Sequence, residues 1–220
     1  MVEIQKDVFW KAALITLVVF SLGVILGYSL ESHRISEIQK EFKQVEIEWA
    51  DAKLQNNFYY QLLTPQYCDA AMEANLEFAD KVYEQGLILE RYEKANKLND
   101  EMFYEKQKYS LLKLEFWMNS IILKEKCNAK YNNVVYFYKN EPSITEKAAQ
   151  DTQSKILTEL KDKHAEKVML IPLPFDMNIA AIDIITKTYA IEEAPTIFIN
   201  EKIKLEDIQS LKEIEEKLEL

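Results

Sequence analysis

Glycine is nearly absent from this chain: three occur in 220 residues, beside five prolines. Long irregular loops are therefore not expected, and long helices are. The same scarcity removes any Gly-rich phosphate loop, and no Gly-x-Ser-x-Gly elbow or other catalytic signature is present. Histidine occurs twice, as His33 and His164, in different segments and without Cys or carboxylate partners at zinc spacing. Each is expected to be a solvated helix residue, and no metal, cofactor or catalytic residue is expected. Basic charge is also short. Twenty-seven Lys and Arg against 37 Asp and Glu leave a net charge of −10. Nucleic-acid binding draws most of its affinity from clustered Lys and Arg, so no nucleic-acid partner is expected. The same charge disfavours adsorption to an anionic lipid surface.

What the chain does contain begins with an apolar run. Ala12–Leu30 carries no charge over 19 residues, flanked by Lys6 and Lys11 before it and by Glu31, His33 and Arg34 after it. At ~1.5 Å per residue such a helix spans the roughly 30 Å hydrocarbon core of a bilayer. A signal peptide would have a shorter apolar region, and no small-x-small cleavage site stands near Tyr28–Ser32, so an uncleaved single-pass anchor is expected. Lys6 and Lys11 favour an inside N-terminus, although Arg34, Lys40 and Lys43 weaken the contrast. Gly23 and Gly27 form a Gly-x-x-x-Gly pair suited to close packing of two such helices, hence to a homodimer.

Beyond the anchor, Ile35, Ile38, Phe42, Val45, Trp49 and Ala52 recur by three and four, and the register continues through Asn56, Tyr59 and Leu63. This seam suits a parallel two-stranded coiled coil or a helix docked on its own chain; its aromatic content favours docking. Thr64-Pro65 ends that helix and starts another. From Pro65 to about Lys126 the pattern is helical, with Met72, Ala79, Val82, Tyr83, Gly86, Leu89, Tyr109, Leu112, Phe116 and Leu123 as expected buried positions. Asn96–Asp100 is the expected break. Folding the segment there, at Leu98, brings Cys68 and Cys127 to one end of a helical hairpin. A continuous helix would instead hold them roughly 89 Å apart. A Cys68–Cys127 disulfide is expected, which suits an oxidising compartment; two buried free cysteines are the alternative.

The last 88 or so residues change character. Val134-Val135-Tyr136-Phe137-Tyr138 and Val168-Met169-Leu170-Ile171 read as buried parallel strands separated by a polar helix. A helix with Ile179, Ile182, Ile185 and Tyr189 follows. Thr196–Ile199 and Ile203–Leu205, joined by the tight Asn200-Glu201-Lys202 turn, read as an antiparallel hairpin. A final helix over Glu206–Leu218 would place Ile208, Leu211, Ile214 and Leu218 on one face. The whole chain is thus expected to be α+β: flank 1–11, transmembrane helix 12–30, helical stalk 31–63, helical hairpin 64–130, and a β-α-β-α-β-β-α domain over 131–220.

That order, with Ala194-Pro195-Thr196-Ile197-Phe198-Ile199-Asn200 entering the third strand, resembles the thioredoxin fold. The resemblance implies a cis bond before Pro195, placed beside the loop after the first strand. In redox members that loop carries Cys-x-x-Cys. Here it reads Lys139-Asn140-Glu141-Pro142-Ser143-Ile144-Thr145-Glu146, without a thiol to attack a disulfide. Glu141 and Glu146 flank it, and are expected to be solvated and to support a helix N-terminus rather than to act as a catalytic pair. In the family the backbone beside the cis-proline pairs with an extended substrate segment. The resemblance therefore implies a module that binds a protein or peptide. With the missing thiols, the apolar anchor and the expected disulfide, it is expected to be non-catalytic, membrane-anchored and on the extracytoplasmic side of the cell membrane. Its groove would comprise Ala194, Pro195, Pro142, Ser143 and Thr145. Two alternatives stand beside it: a thiol–disulfide oxidoreductase working through Cys68 and Cys127, and an architectural protein that oligomerises through Gly23, Gly27 and the Ile35–Leu63 seam.

Overall fold

The computed structural model describes residues 3–95 and 100–220. Ten elements follow in order: α1 (Glu3–Leu62), α2 (Cys68–Ala95), α3 (Asp100–Cys127), β1 (Asn132–Tyr138), α4 (Ile144–His164), β2 (Val168–Pro174), α5 (Ala180–Thr188), β3 (Thr196–Ile199), β4 (Ile203–Glu206) and α6 (Leu211–Leu218), with short 3-10 turns at Pro65–Tyr67 and Ala165–Lys167. The chain is α+β, and it forms two compact units, Met1–Gln44 and Val45–Leu220.

In the first unit Val8–Leu30 has a mean hydropathy of 2.3 over 23 residues. It is long and apolar enough to cross a membrane, and it begins four residues earlier than the uncharged run because one lysine, Lys11, does not offset its apolar neighbours. Its side chains are exposed all round. Apolar surface on every face suits a lipid environment and not an amphipathic surface helix. A Cβ added at Gly23 or Gly27 would meet nothing within 4 Å.

The second unit is built on a four-stranded sheet of order β2-β1-β3-β4. β1 runs parallel to β2, with Val134 opposite Leu170, and antiparallel to β3, with Tyr136 opposite Ile197; β3 pairs antiparallel with β4. The period of two along β1 sorts its side chains. Val134 and Tyr136 join Leu157 and Leu160 of α4 and Ile214 and Leu218 of α6 in one buried cluster. Val135 and Phe137 join Leu112, Phe116 and Trp117 of α3 and Ile182 of α5 in the other. Both faces of β1 are covered, which is why it reads as a continuous apolar run. Trp117 is fully buried, sits edge-on to Phe137 and Phe198 with ring centroids 6.3 Å away in each case, and donates its Nε1–H to Glu201 Oε1 at 2.7 Å. Its indole is therefore packed and its polar handle satisfied.

The hairpin of α2 and α3 is closed at its base by a Cys68–Cys127 disulfide with a Cα–Cα distance of 5.4 Å. The expected break at Asn96–Asp100 lies outside the described residues, except that α3 is assigned from Asp100. The last turns of α1 and the residue after it dock on this hairpin: Ala52, Tyr59 and Leu63 are buried, the latter two against Ala71 and Leu123. Lys126 of α3 donates to the carbonyls of Tyr59, at 2.7 Å, and of Tyr60, closing the C-terminal end of α1 that has no basic residue of its own. The seam therefore packs within the chain over Ala52–Leu63. Its earlier members Ile35, Ile38, Phe42 and Val45 lie outside the described side chains, and Trp49 is 37% exposed.

Three local expectations are corrected. Tyr83 is 68% exposed, because the buried stripe of α2 runs through Phe78, Val82 and Leu89. The last helix starts at Leu211 rather than Glu206, since β4 extends through Glu206 and Ser210 is the N-cap. The Ser210 hydroxyl accepts from the Glu213 N–H while the Glu213 carboxylate accepts from the Ser210 N–H, a capping box that sets the boundary. Ile208, left outside the helix, is 47% exposed. Thr64 makes no side-chain cap bond; a 3-10 turn stands between it and α2.

Candidate functional site

The loop from Lys139 to Ser143 connects β1 to α4, and polar side chains hold it from both sides. Asp176 accepts from the N–H groups of Asn140 and Glu141, at 2.6 and 3.0 Å. Gln150 accepts from the Lys139 N–H at 2.9 Å and donates to the Lys139 carbonyl at 3.1 Å. Ser143 and Glu146 form a second capping box that starts α4. The Lys139 ammonium, 2.5 Å from Glu146 and aided by the Ser143 N–H and hydroxyl, holds the Glu146 carboxyl down at about 2. Six residues after α5 ends, the Ala194–Pro195 bond is cis. Ala194 and Pro195 face the first turns of α4 across a groove of about 420 Å³, walled by Thr145, Glu146 and Ala149 on one side and by Asp207 and Ile208 on the other.

Of the residues expected in a groove, the fold brings together Ala194, Pro195 and Thr145. Ser143 is spent on the helix cap, and Pro142 faces a different concavity. Asp207 and Ile208 were missing from that expectation because the sequence places them inside a helix. Ile144, at the first position of α4, is 92% exposed. Ala194 precedes the ladder, which begins at Thr196, so its N–H and C=O are not committed to the sheet. No thiol reaches the groove. Cys68 and Cys127 are bonded to each other and line neither concavity. Among the described residues no three His, Cys, Asp or Glu side chains gather as a metal centre requires. The arrangement offers shape, apolar side chains, backbone, the Thr145 hydroxyl and the carboxylates of Glu146 and Asp207, and no thiol.

The second concavity, of about 490 Å³, lies among α2, α3, the ends of β1 and β2, and α4. Tyr109 and Lys113 of α3 and Tyr138 of β1 form part of its wall. Lys113 is 2% exposed, and its Nζ lies 4.4 Å from the Tyr109 ring centroid and 5.8 Å from that of Tyr138. Burial lowers the Lys113 ammonium to about 7, and burial pushes the phenols of Tyr109 and Tyr138 up. The sequence signal for Lys113 is its spacing. It stands four after Tyr109 and three before Phe116, on a helix whose buried positions include Leu112, Leu114 and Trp117.

No protein-family model matches this chain, and no curated protein does. Among solved structures it is similar to a malarial protein at 18% identity and a TM-score of 0.31, over 40% of this chain and 92% of that one. It is also similar to thioredoxin-2, a component of the malaria parasite protein secretion machinery, at 17% identity and a TM-score of 0.32, over 40% of this chain and 82% of that one. At these values the thioredoxin-like assignment rests on the strand order, the helices on both sheet faces and the position of Pro195 given above.

Proposed function

We propose that this protein is a membrane-anchored, non-catalytic thioredoxin-like module that binds an extended protein segment on the extracytoplasmic side. The observation that carries the proposal is the groove itself: Ala194 and Pro195 opposite Thr145 and Ala149, with Ile208 in the wall, Ile144 exposed one residue from Thr145, and no thiol. An extended segment laid along Ala194 gains main-chain hydrogen bonds from a backbone the sheet leaves uncommitted, and its side chains meet the apolar wall. Asp207 gives the same wall an acidic member, so a basic residue in the segment is favoured there. Redox exchange through Cys68 and Cys127 is disfavoured, because a crosslink at the base of a hairpin, away from either concavity, presents no activated thiolate. The disulfide also supports an oxidising compartment for this unit.

Photocrosslinking from the full-length protein in membranes tests the proposal. A photoreactive side chain at Thr145 is expected to capture a partner that one at exposed Lys212 does not. Ile208→Arg, a change at a solvent-facing position, is expected to reduce that capture at least tenfold. Equal capture from both positions, or capture indifferent to Ile208→Arg, overturns the proposal.

A further inference from the structure

The Lys113 cavity is separate from the groove and calls for its own account. Lysine is almost never fully buried unless paired. Here the ammonium has no hydrogen bond and no ion pair among the described residues, although the chain carries ten more acidic than basic side chains. Two of the ion pairs at the cavity exclude Lys113: Glu93 holds Lys106 at 2.7 Å, and Lys139 is held by Glu146. What faces Lys113 is two tyrosine rings, which attract a cation but do not neutralise it. Gly86 contributes by omission. A Cβ at that position would run into the Tyr109 hydroxyl, so only glycine lets the phenol lie where it helps wall the cavity.

We propose that this cavity binds a small organic carboxylate, whose anionic head takes the Lys113 ammonium as its counter-charge and whose carbon body lies against the Tyr109 and Tyr138 rings. The chemistry of the wall selects that class. The lining also carries Lys106, Lys139, Lys147, Glu90, Glu93 and Asp151, but none of them is ion-paired with Lys113. Its buried ammonium therefore awaits one negative charge, and the cavity contains no arginine fork of the kind that recognises phosphate. Leu89, Met177, Pro172 and Pro174 add apolar surface for a carbon skeleton. A volume of about 490 Å³ is within the usual range for small-molecule sites. The Lys113 side chain is already buried before the ligand arrives, so the carboxylate meets a charge that lacks a counter-charge and removes the penalty of leaving it alone.

Isothermal titration of the full-length protein in detergent micelles with benzoate, against neutral benzamide of the same shape, tests the proposal. Benzoate is expected to bind saturably at one site per chain and at least tenfold more tightly than benzamide. Lys113→Met is expected to abolish benzoate binding. In the wild-type protein, a measurement that needs no variant to fold, benzoate is expected to slow acylation of Lys113 at least fivefold by peptide mass spectrometry while leaving Lys212 unaffected. Equal binding of benzoate and benzamide, no saturation by benzoate up to about 10 mM, unaltered binding by a folded Lys113→Met protein, or no protection of Lys113 each overturns it.

Discussion

A lysine that gives up its proton at about 7 in the fold and at 10.5 in the unfolded chain couples stability to pH. Between those values the unfolded chain holds a proton that the folded one has released, so stability rises with pH across the window. Below about 7 both states are charged, and the full burial cost applies. Lys124 and Lys161, also lowered by burial, add slope of the same sign. Above pH 10 the phenols of Tyr109, Tyr131, Tyr136 and Tyr138 act oppositely: burial raises them, the fold keeps protons the unfolded chain sheds, and stability falls. Thermal melts from pH 6 to 10 are therefore expected to show a rising Tm for the wild type. Lys113→Met should melt higher than wild type at pH 6 and show a shallower rise; identical slopes would remove Lys113 from the account. At the acid end Glu146, held at about 2 against an ordinary 4.5, contributes stability that is present above 4.5 and lost as pH falls toward 2. Ser143→Ala takes away the hydroxyl of that capping box. It is expected to cost about 1 kcal/mol at pH 7, by chemical denaturation, and to weaken the acid limb.

Elements show where sequence reasoning succeeds and where it stops. The strands were legible because β1, β2 and β3 bury nearly every side chain and so appear as unbroken apolar runs between turn residues. The hairpin was legible from two cysteines placed symmetrically about a polar break. The start of α6 was misplaced because Ile208 fits the helical stripe through Leu211 and Ile214, although Ser210-x-x-Glu213 spells the cap that overrides it. The burial of Lys113 had a signal in its spacing, but the cavity around it and the Asp207 side of the groove were not legible, since each depends on elements distant in sequence meeting in space. Two substitutions test the packing between elements. Cys68→Ser opens a 60-residue loop and is expected to cost about 4 kcal/mol by loop-closure entropy, measured by denaturant unfolding with and without reductant. Trp117→Ala empties the contact of α3 with Phe137 and Phe198 and leaves the Glu201 carboxylate with only the Asn133 amide as donor among the described residues. A loss of about 3–5 kcal/mol is expected, and a loss under 1 kcal/mol would mean that α3 is not integral to the sheet's core.

At the scale of the whole molecule, sidedness decides whether the groove and the disulfide belong to one biological setting. Val8–Leu30 supplies a helix of roughly 35 Å at the standard rise, enough for one crossing. The residues after it carry the only two cysteines, joined to each other. Reducing cytosol would keep such thiols apart, whereas an oxidising exterior would preserve the bond, so one labelling experiment reads compartment and crosslink together. Intact cells treated with a membrane-impermeant reductant and then an impermeant maleimide polymer are expected to add two labels per chain, and none when the reductant is omitted. Labelling that requires permeabilised cells would place the unit inside and leave the groove without extracytoplasmic partners. Gly23→Leu with Gly27→Leu separates anchoring from assembly in the same cells. If the anchor acts alone, the double variant labels and crosslinks to its partner as wild type does. If capture from Thr145 falls together with homodimer crosslinking, two copies are needed to present the groove, and the anchor is part of the binding apparatus.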